Sequence, residues 1–171
     1  LVATPAYGYN FVNWTKGEEI VAETAEYTFT ASADIELVAN FEEKAVTGNI
    51  INVEPGEGTL ATAVKEAQAG DKLVLADGTY TQEYSINMDK AGLIITAAEN
   101  AKPVIQLTGE WTTLNVSAST TFEGITFDAK NVAKYIIATL DSVAMTTDLV
   151  IYNCEFKNWL QWAISNQYAK N

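Results

Sequence analysis

Short runs of alternating apolar and polar residues dominate this chain, and the alternation has the period of strands rather than helices. Ile35, Leu37, Ala39 and Phe41 alternate with Glu36, Val38 and Asn40, as in a strand with one buried face. Tyr27, Phe29 and Ala31 alternate with Thr28 and Thr30 in the same way, with Ser32, Ala33 and Asp34 as a turn between the two. Residues 11–14 predict a further strand, ended by Lys16 and Gly17. Three strands in so short a span make a small sheet with little core. Further along, residues 71–76, 92–96, 104–107, 114–116, 124–127, 135–138 and 149–152 are short and rich in β-branched or aromatic residues, and each predicts a strand.

One segment breaks this rhythm. Leu60, Ala63, Val64 and Ala67 fall at i, i+3, i+4 and i+7, the apolar stripe of a helix over residues 60–68. Thr59 is the expected N-cap, and Gly70 the expected left-handed residue at the C-terminal end. A helix of this length is marginal alone and must lie on something.

Residues 42–49 are polar, carry Gly48 and show no sustained periodicity, which places a boundary near Ala45. The chain is thereby expected to divide into residues 1–44 and 49–171.

An internal repeat is visible in the second part. Ile95-Thr96-Ala97-Ala98 parallels Ile125-Thr126-Phe127-Asp128, which parallels Cys154-Glu155-Phe156-Lys157, at offsets of 30 and 29 residues. A period in this range marks a solenoid, in which each coil buries its apolar face on the next. Three ladders follow: Ile95, Ile125 and Cys154 inside, then Ala97, Phe127 and Phe156 inside, with Ala98, Asp128 and Lys157 outside. The outer ladder would set Asp128 and Lys157 about 5 Å apart on neighbouring strands. The open end of such a coil exposes strand edges, and the helix at 60–68 is the expected cover for the first one. No counterpart follows Trp162, so further coils are expected downstream of Asn171. An outward loop is expected around residues 141–147.

Composition narrows the chemistry. Of 171 residues, 48% are hydrophobic and 19% charged, enough apolar content for a packed core. Ten cations, all lysine, face 22 acids, giving a net charge of -12. That balance argues against nucleic acid as a partner, since phosphate binding needs clustered cations. The absence of histidine removes Ser-His and Cys-His catalysis and most zinc sites. The single cysteine, Cys154, forms no internal disulfide and is expected as a small core residue. No apolar run approaches the roughly 20 residues of a membrane-spanning helix, so membrane insertion is not expected. Nothing in the residues addresses oligomeric state.

Two resemblances add to this reading. Tyr7-Gly8-Tyr9-Asn10-Phe11-Val12-Asn13-Trp14, then Tyr27-Thr28-Phe29-Thr30 and Leu37-Val38-Ala39-Asn40-Phe41, resemble the second half of a bacterial β-repeat related to the B-repeats of internalin-type surface proteins. The resemblance covers residues 1–42 and implies a spacer on a secreted or cell-surface protein. Thr59-Leu60-Ala61-Thr62-Ala63-Val64 and Ala69-Gly70-Asp71-Lys72-Leu73-Val74-Leu75-Ala76-Asp77-Gly78-Thr79-Tyr80 resemble the entry to a right-handed parallel β-helix of the pectate-lyase and chondroitinase-B type. Residues 122–127 and 150–158 resemble its coils. The implied architecture is all-β: a pectin-lyase-like solenoid with an N-terminal capping helix, preceded by a small β-sheet module.

That fold hosts lyases, hydrolases and non-enzymatic adhesins alike, so function must come from a site. Lyases of the fold pair a Lys or Arg base with calcium-binding carboxylates. Here there is no arginine, the lysines are scattered, and Asp128, Asp141 and Asp148 are widely spaced. No catalytic residue and no metal ligand is therefore assigned, and no cofactor is implied; calcium enters only if the chain belongs to a lyase. Trp111, Trp159, Trp162 and Tyr168 are candidate carbohydrate-binding residues, because aromatic faces stack on the apolar faces of sugar rings. The competing reading makes Trp159 and Trp162 core cover for the last coil, or side chains exposed only because the coils expected downstream are missing. The expected function is a structural or carbohydrate-binding part of a secreted or surface bacterial protein, with a polysaccharide or glycan as partner. The alternative is the N-terminal part of a polysaccharide lyase acting on uronate-containing glycans.

Overall fold

The computed structural model describes residues 1–6, 8–139 and 148–166, and divides the chain into two compact units, Leu1–Ala45 and Val46–Asn171. The loop expected around 141–147 and Tyr168 lie outside the described residues.

The first unit is an antiparallel sheet of β1 (Tyr9–Lys16), β2 (Glu19–Ala22) and β3 (Val38–Glu43), with β1 in the centre. Trp14 is buried on it, donating from Nε1 to the Ala25 carbonyl at 3.2 Å. Phe11 bridges the rings of Trp14 and Phe41, with centroids 6.1 and 5.9 Å away. The strand expected at residues 27–31 does not form. Tyr27 and Phe29 do stack on one side, 5.2 Å apart, as alternation implied. However, the backbone of Tyr27 is taken by Leu1, with its N–H donating to the Leu1 carbonyl and its own carbonyl accepting from the N-terminal amine. Glu19–Ala22 forms the hairpin partner of β1 instead.

The second unit is a parallel solenoid of three sheets. The first sheet holds β4 (Ile50–Val53), β6 (Lys72–Leu75), β9 (Leu93–Ala97), β12 (Thr120–Glu123) and β15 (Leu149–Tyr152). The second holds β5 (Gly56–Glu57), β7 (Thr79–Gln82), β10 (Val104–Leu107), β13 (Thr126–Asp128) and β16 (Glu155–Lys157). The third holds β8 (Ile86–Met88), β11 (Leu114–Val116), β14 (Tyr135–Thr139) and β17 (Trp162–Asn166). The chain visits the sheets in this order on every turn, and each strand pairs in parallel with the strand one turn earlier. On the first turn the helix α1 (Thr59–Glu66) stands where the third-sheet strand would be, with Leu60 and Val64 buried beneath it. The architecture is the expected all-β parallel β-helix with its capping helix. One coil more than expected precedes the cap, because Ile50–Val53 and Gly56–Glu57 already pair with the next turn.

Inside, like side chains stack along the axis. Leu73, Ile95, Phe122 and Ile151 form one ladder, and Tyr80, Ile105, Phe127 and Phe156 another. Phe127 and Phe156 stack with centroids 4.9 Å apart, and Phe122 meets Phe127 edge-on at 5.4 Å. The ladder placing Ile95 on Ile125 is corrected by this pairing. Ile95 and Phe127 belong to different sheets, since the first copy of the repeat lies before a bend and the two later copies follow one. The later pair of the repeat holds: Phe127 faces Phe156 and Asp128 faces Lys157. The ion pair across that register does not form. Lys157 Nζ lies 2.8 Å from Glu155, while Asp128 accepts from the Asn158 amide at 2.8 Å and from the Lys130 N–H at 2.9 Å. Cys154 is half-buried at the last described turn rather than enclosed, and burial raises its thiol pKa.

The helix ends also differ from expectation. Gly58, in a left-handed conformation, holds the N-cap position without a side-chain bond. Thr59 is already helical, and its hydroxyl donates to the Gly56 carbonyl at 3.3 Å. At the other end Ala67 is the C-cap, and Gly70 is left-handed but lies beyond it. The exit is fixed by Asp71, which accepts from the N–H groups of Gln68 and Asn49, each at 2.7 Å. These bonds, Gln68 first, hold the Asp71 carboxyl below its ordinary value. Tyr80 is enclosed, and its hydroxyl donates to the carbonyls of Val53 and Ala76 at 2.6 and 3.0 Å. Burial, then the charge of Glu54, pushes its pKa up to about 12. At the coil corners Asn100, Asn131, Asn153 and Asn158 adopt the left-handed backbone that asparagine tolerates best among residues with a side chain.

Candidate functional site

The entry to the third sheet gathers aromatic side chains from successive coils. Each of its strands begins after a bend leaving the second sheet; Leu114, Val116 and Ile137 fill the strand interior, and Thr112 and Ala133 are buried at the bends. Trp111 precedes β11 and is 65% exposed. One coil on, Lys134 precedes β14, and its Nζ sits 3.6 Å from the centre of the Trp111 ring. The same ammonium is 2.6 Å from the Glu110 carboxylate. The Lys134 backbone ties three coils together: its N–H donates to the Glu110 carbonyl, and its carbonyl accepts from the N–H groups of Gln161 and Trp162.

Tyr135 follows Lys134 and pairs in register with Trp162 on the next coil. Parallel strands place such residues directly above one another, and their rings stack at 5.7 Å with planes only 6° apart. Trp162 is 56% exposed on its remaining surface. Behind Trp111, the Ser85 hydroxyl donates to the Trp111 carbonyl at 3.1 Å and accepts from the Thr113 N–H at 3.1 Å, so this bend is pinned to the coil below. Two contacts between coils thus fall at adjacent residues, Lys134 on Trp111 and Tyr135 on Trp162, and together they make the platform.

Of the sequence candidates, Trp111 and Trp162 are brought to this platform. Trp159 is exposed just past the corner at Asn158, in the segment that leads to Trp162. Lys134 and Tyr135 were missed. The signal for Tyr135 was available: it opens a strand, and the ladder pairs it with Trp162. Lys134 carried none, because a cation over a ring depends on a contact between coils.

Chemically the platform offers ring faces, one ammonium and one carboxylate. Among the described residues, no group of three or more His, Cys, Asp or Glu side chains could hold a metal ion. Elsewhere, an open groove of about 260 Å³ lies between α1 and β8, lined by Lys65, Asn87, Asp89 and Lys90 among others, with Lys90 paired to Asp89.

Residues 1–45 match the family model of the divergent InlB B-repeat domain. The chain is also similar to parallel β-helix lyases of known structure. The PL6 family alginate lyase AlyGC is 27% identical with a TM-score of 0.60, over 72% of this chain and 19% of that one. An arginine-to-alanine mutant of the same enzyme is 25% identical with a TM-score of 0.61, over 85% of this chain and 20% of that one. This chain thus spans about a fifth of the length of those lyase chains. No curated protein matches it.

Proposed function

We propose that this chain is the spacer and glycan-contacting portion of a secreted or surface-attached bacterial protein, and that the solenoid binds carbohydrate without cleaving it. The observation that carries the reading is the platform of exposed Trp111 and Trp162 joined through Lys134 and Tyr135 on successive coils. Residues 1–44 supply the spacer module, in keeping with the B-repeat match. Likeness to polysaccharide lyases supports a carbohydrate ligand.

The test is titration of the intact chain with a panel of soluble polysaccharides, followed by calorimetry or tryptophan fluorescence. Binding with a Kd in the range of about 1 mM to 10 μM is expected, equivalent to roughly 4–7 kcal/mol. Trp111→Ala and Trp162→Ala should each weaken it about tenfold while leaving the far-ultraviolet circular dichroism unchanged. Unaltered affinity in both variants would remove the platform from the reading.

A second reading, the N-terminal part of a polysaccharide lyase acting on uronate glycans, is favoured by the identity to an alginate lyase. Unsaturated product absorbs in the ultraviolet, so incubation with alginate and calcium separates the two: product formation by this chain would overturn the non-catalytic reading.

A further inference from the structure

We infer that the platform selects uncharged sugar rings and turns polyuronates away. The inference rests on the reading of this face as a glycan platform, and it runs opposite to the ligand that likeness to alginate lyases alone would suggest.

A polyuronate carries a carboxylate on every ring. Holding one in water requires a cation whose charge is free to pair, and recognition through that charge weakens with salt. The platform contains one cation, Lys134, and it already has two partners. Its ammonium lies 2.6 Å from Glu110 and 3.6 Å from the Trp111 ring centre. Only 21% of the Lys134 side chain is exposed, against 56% for Glu110, so the outermost charge a ligand meets at this point is negative.

An incoming carboxylate must either share the Lys134 ammonium with Glu110, at like-charge repulsion, or displace Glu110 and leave it unpaired beside the new anion. Some of the other lysines of the solenoid are paired as well. Lys157 is paired with Glu155 at 2.8 Å and Lys90 with Asp89. Lys65 stands on α1, with β8 between that helix and the coil of Trp111. Residues 46–171 hold eight lysines against fourteen acids, so the wider field is also negative.

For an uncharged ring the same geometry is favourable. The ammonium holds one face of Trp111 in place, with that residue 65% exposed, and the Tyr135 ring holds one face of Trp162. Rings fixed from behind bind with less loss of side-chain freedom. The Glu110 and Lys134 groups remain available to accept from and donate to sugar hydroxyls.

The experiment titrates the intact chain with manno- and cello-oligosaccharides and with oligoalginate and oligogalacturonate of matched length, at 20 and 500 mM NaCl. A neutral series is expected to bind with less than a twofold change between the two salt concentrations, and the uronates at least tenfold more weakly at low salt. Glu110→Gln then releases Lys134, and should raise oligoalginate affinity at least threefold at low salt, with the gain lost at high salt. Uronates binding as tightly as the neutral sugars in the unaltered chain would overturn the selectivity while leaving the platform intact. Glu110→Gln without effect on uronates would overturn the role of the pair. If no oligosaccharide of either kind binds, the platform reading falls and the selectivity with it.

Discussion

In residues 1–45 the buried apolar side chains among the described residues are Ala3 and Trp14, whereas residues 46–171 enclose a continuous interior from Val53 to Ile137. Both units draw on the same alternating strand pattern. The first lays it out as three antiparallel strands, leaving Tyr9, Val12, Ile20, Val38 and Phe41 exposed. The second winds it, so each coil covers the apolar face of the last, and no strand in the middle of the stack needs a separate layer. Alternation therefore predicts a strand in both, but only repetition at a fixed interval predicts enclosure.

That difference is sharpest under truncation of one core ring in each unit. Phe127 is fully buried between Phe122 and Phe156, and Phe127→Ala should destabilise the solenoid by about 3–5 kcal/mol. Trp14→Ala removes the ring on which Phe11 packs and leaves the Ala25 carbonyl without its side-chain donor. A unit so small has little stability to lose, so it should unfold outright while the solenoid persists. Limited proteolysis with mass analysis of the surviving fragments distinguishes the outcomes. Loss of both units in either variant would mean that their stabilities are coupled.

The sequence was legible in proportion to how local each determinant is. The helix at 60–68 followed from four apolar positions, and the strands at 104–107 and 149–152 from composition alone. The later repeat gave the Phe127 and Phe156 ladder because both copies follow the same bend. Ile95 misled, since Ile-Thr before a bend reads like Ile-Thr after one, and only the pairing with Phe122 tells them apart. Strands such as Ile86–Met88 and Thr120–Glu123 were missed because a three- or four-residue strand shows barely one period. The platform was half legible: tryptophans are conspicuous, whereas Lys134 acquires its role from Trp111 one coil away.

Acid should loosen the solenoid through named carboxylates. Asp71 is held below its ordinary value of 3.8 by the N–H groups of Gln68 and Asn49. For Asp128, burial works upward but is outweighed by the Asn158 amide and the Lys130 N–H, so its value is lowered as well. A carboxyl with a depressed folded pKa stabilises above its unfolded pKa, and that contribution is lost as pH falls through the folded value. The Tm of the solenoid should therefore hold down to about pH 5 and fall progressively below about pH 4. Asp71→Asn should lower the Tm at pH 7 and flatten the acid slope. An unchanged slope in that variant would assign acid sensitivity elsewhere.

The smallest effect probes how each unit treats a polar amide. Gln82 points into the solenoid at the end of β7, opposite Leu107, with 2% of its surface exposed and its Nε2 lacking a hydrogen-bond partner. Asn40 in the first unit is half-buried on an open sheet, and its Nδ2 donates to Asn13 Oδ1 at 2.8 Å and to Thr15 Oγ1 at 3.2 Å. Enclosure makes an unpaired donor costly, so Gln82→Met, of similar length and flexibility, should stabilise the solenoid by about 1 kcal/mol. Asn40→Leu breaks two bonds that the sheet already makes and should destabilise the first unit by a comparable amount, about 1 kcal/mol. Urea titrations of the two variants give the signs directly. A destabilising Gln82→Met would mean that this amide is satisfied in solution, by a buried water bridging Nε2 to the coil backbone, and that the interior is wetter at this turn than its apolar ladders imply.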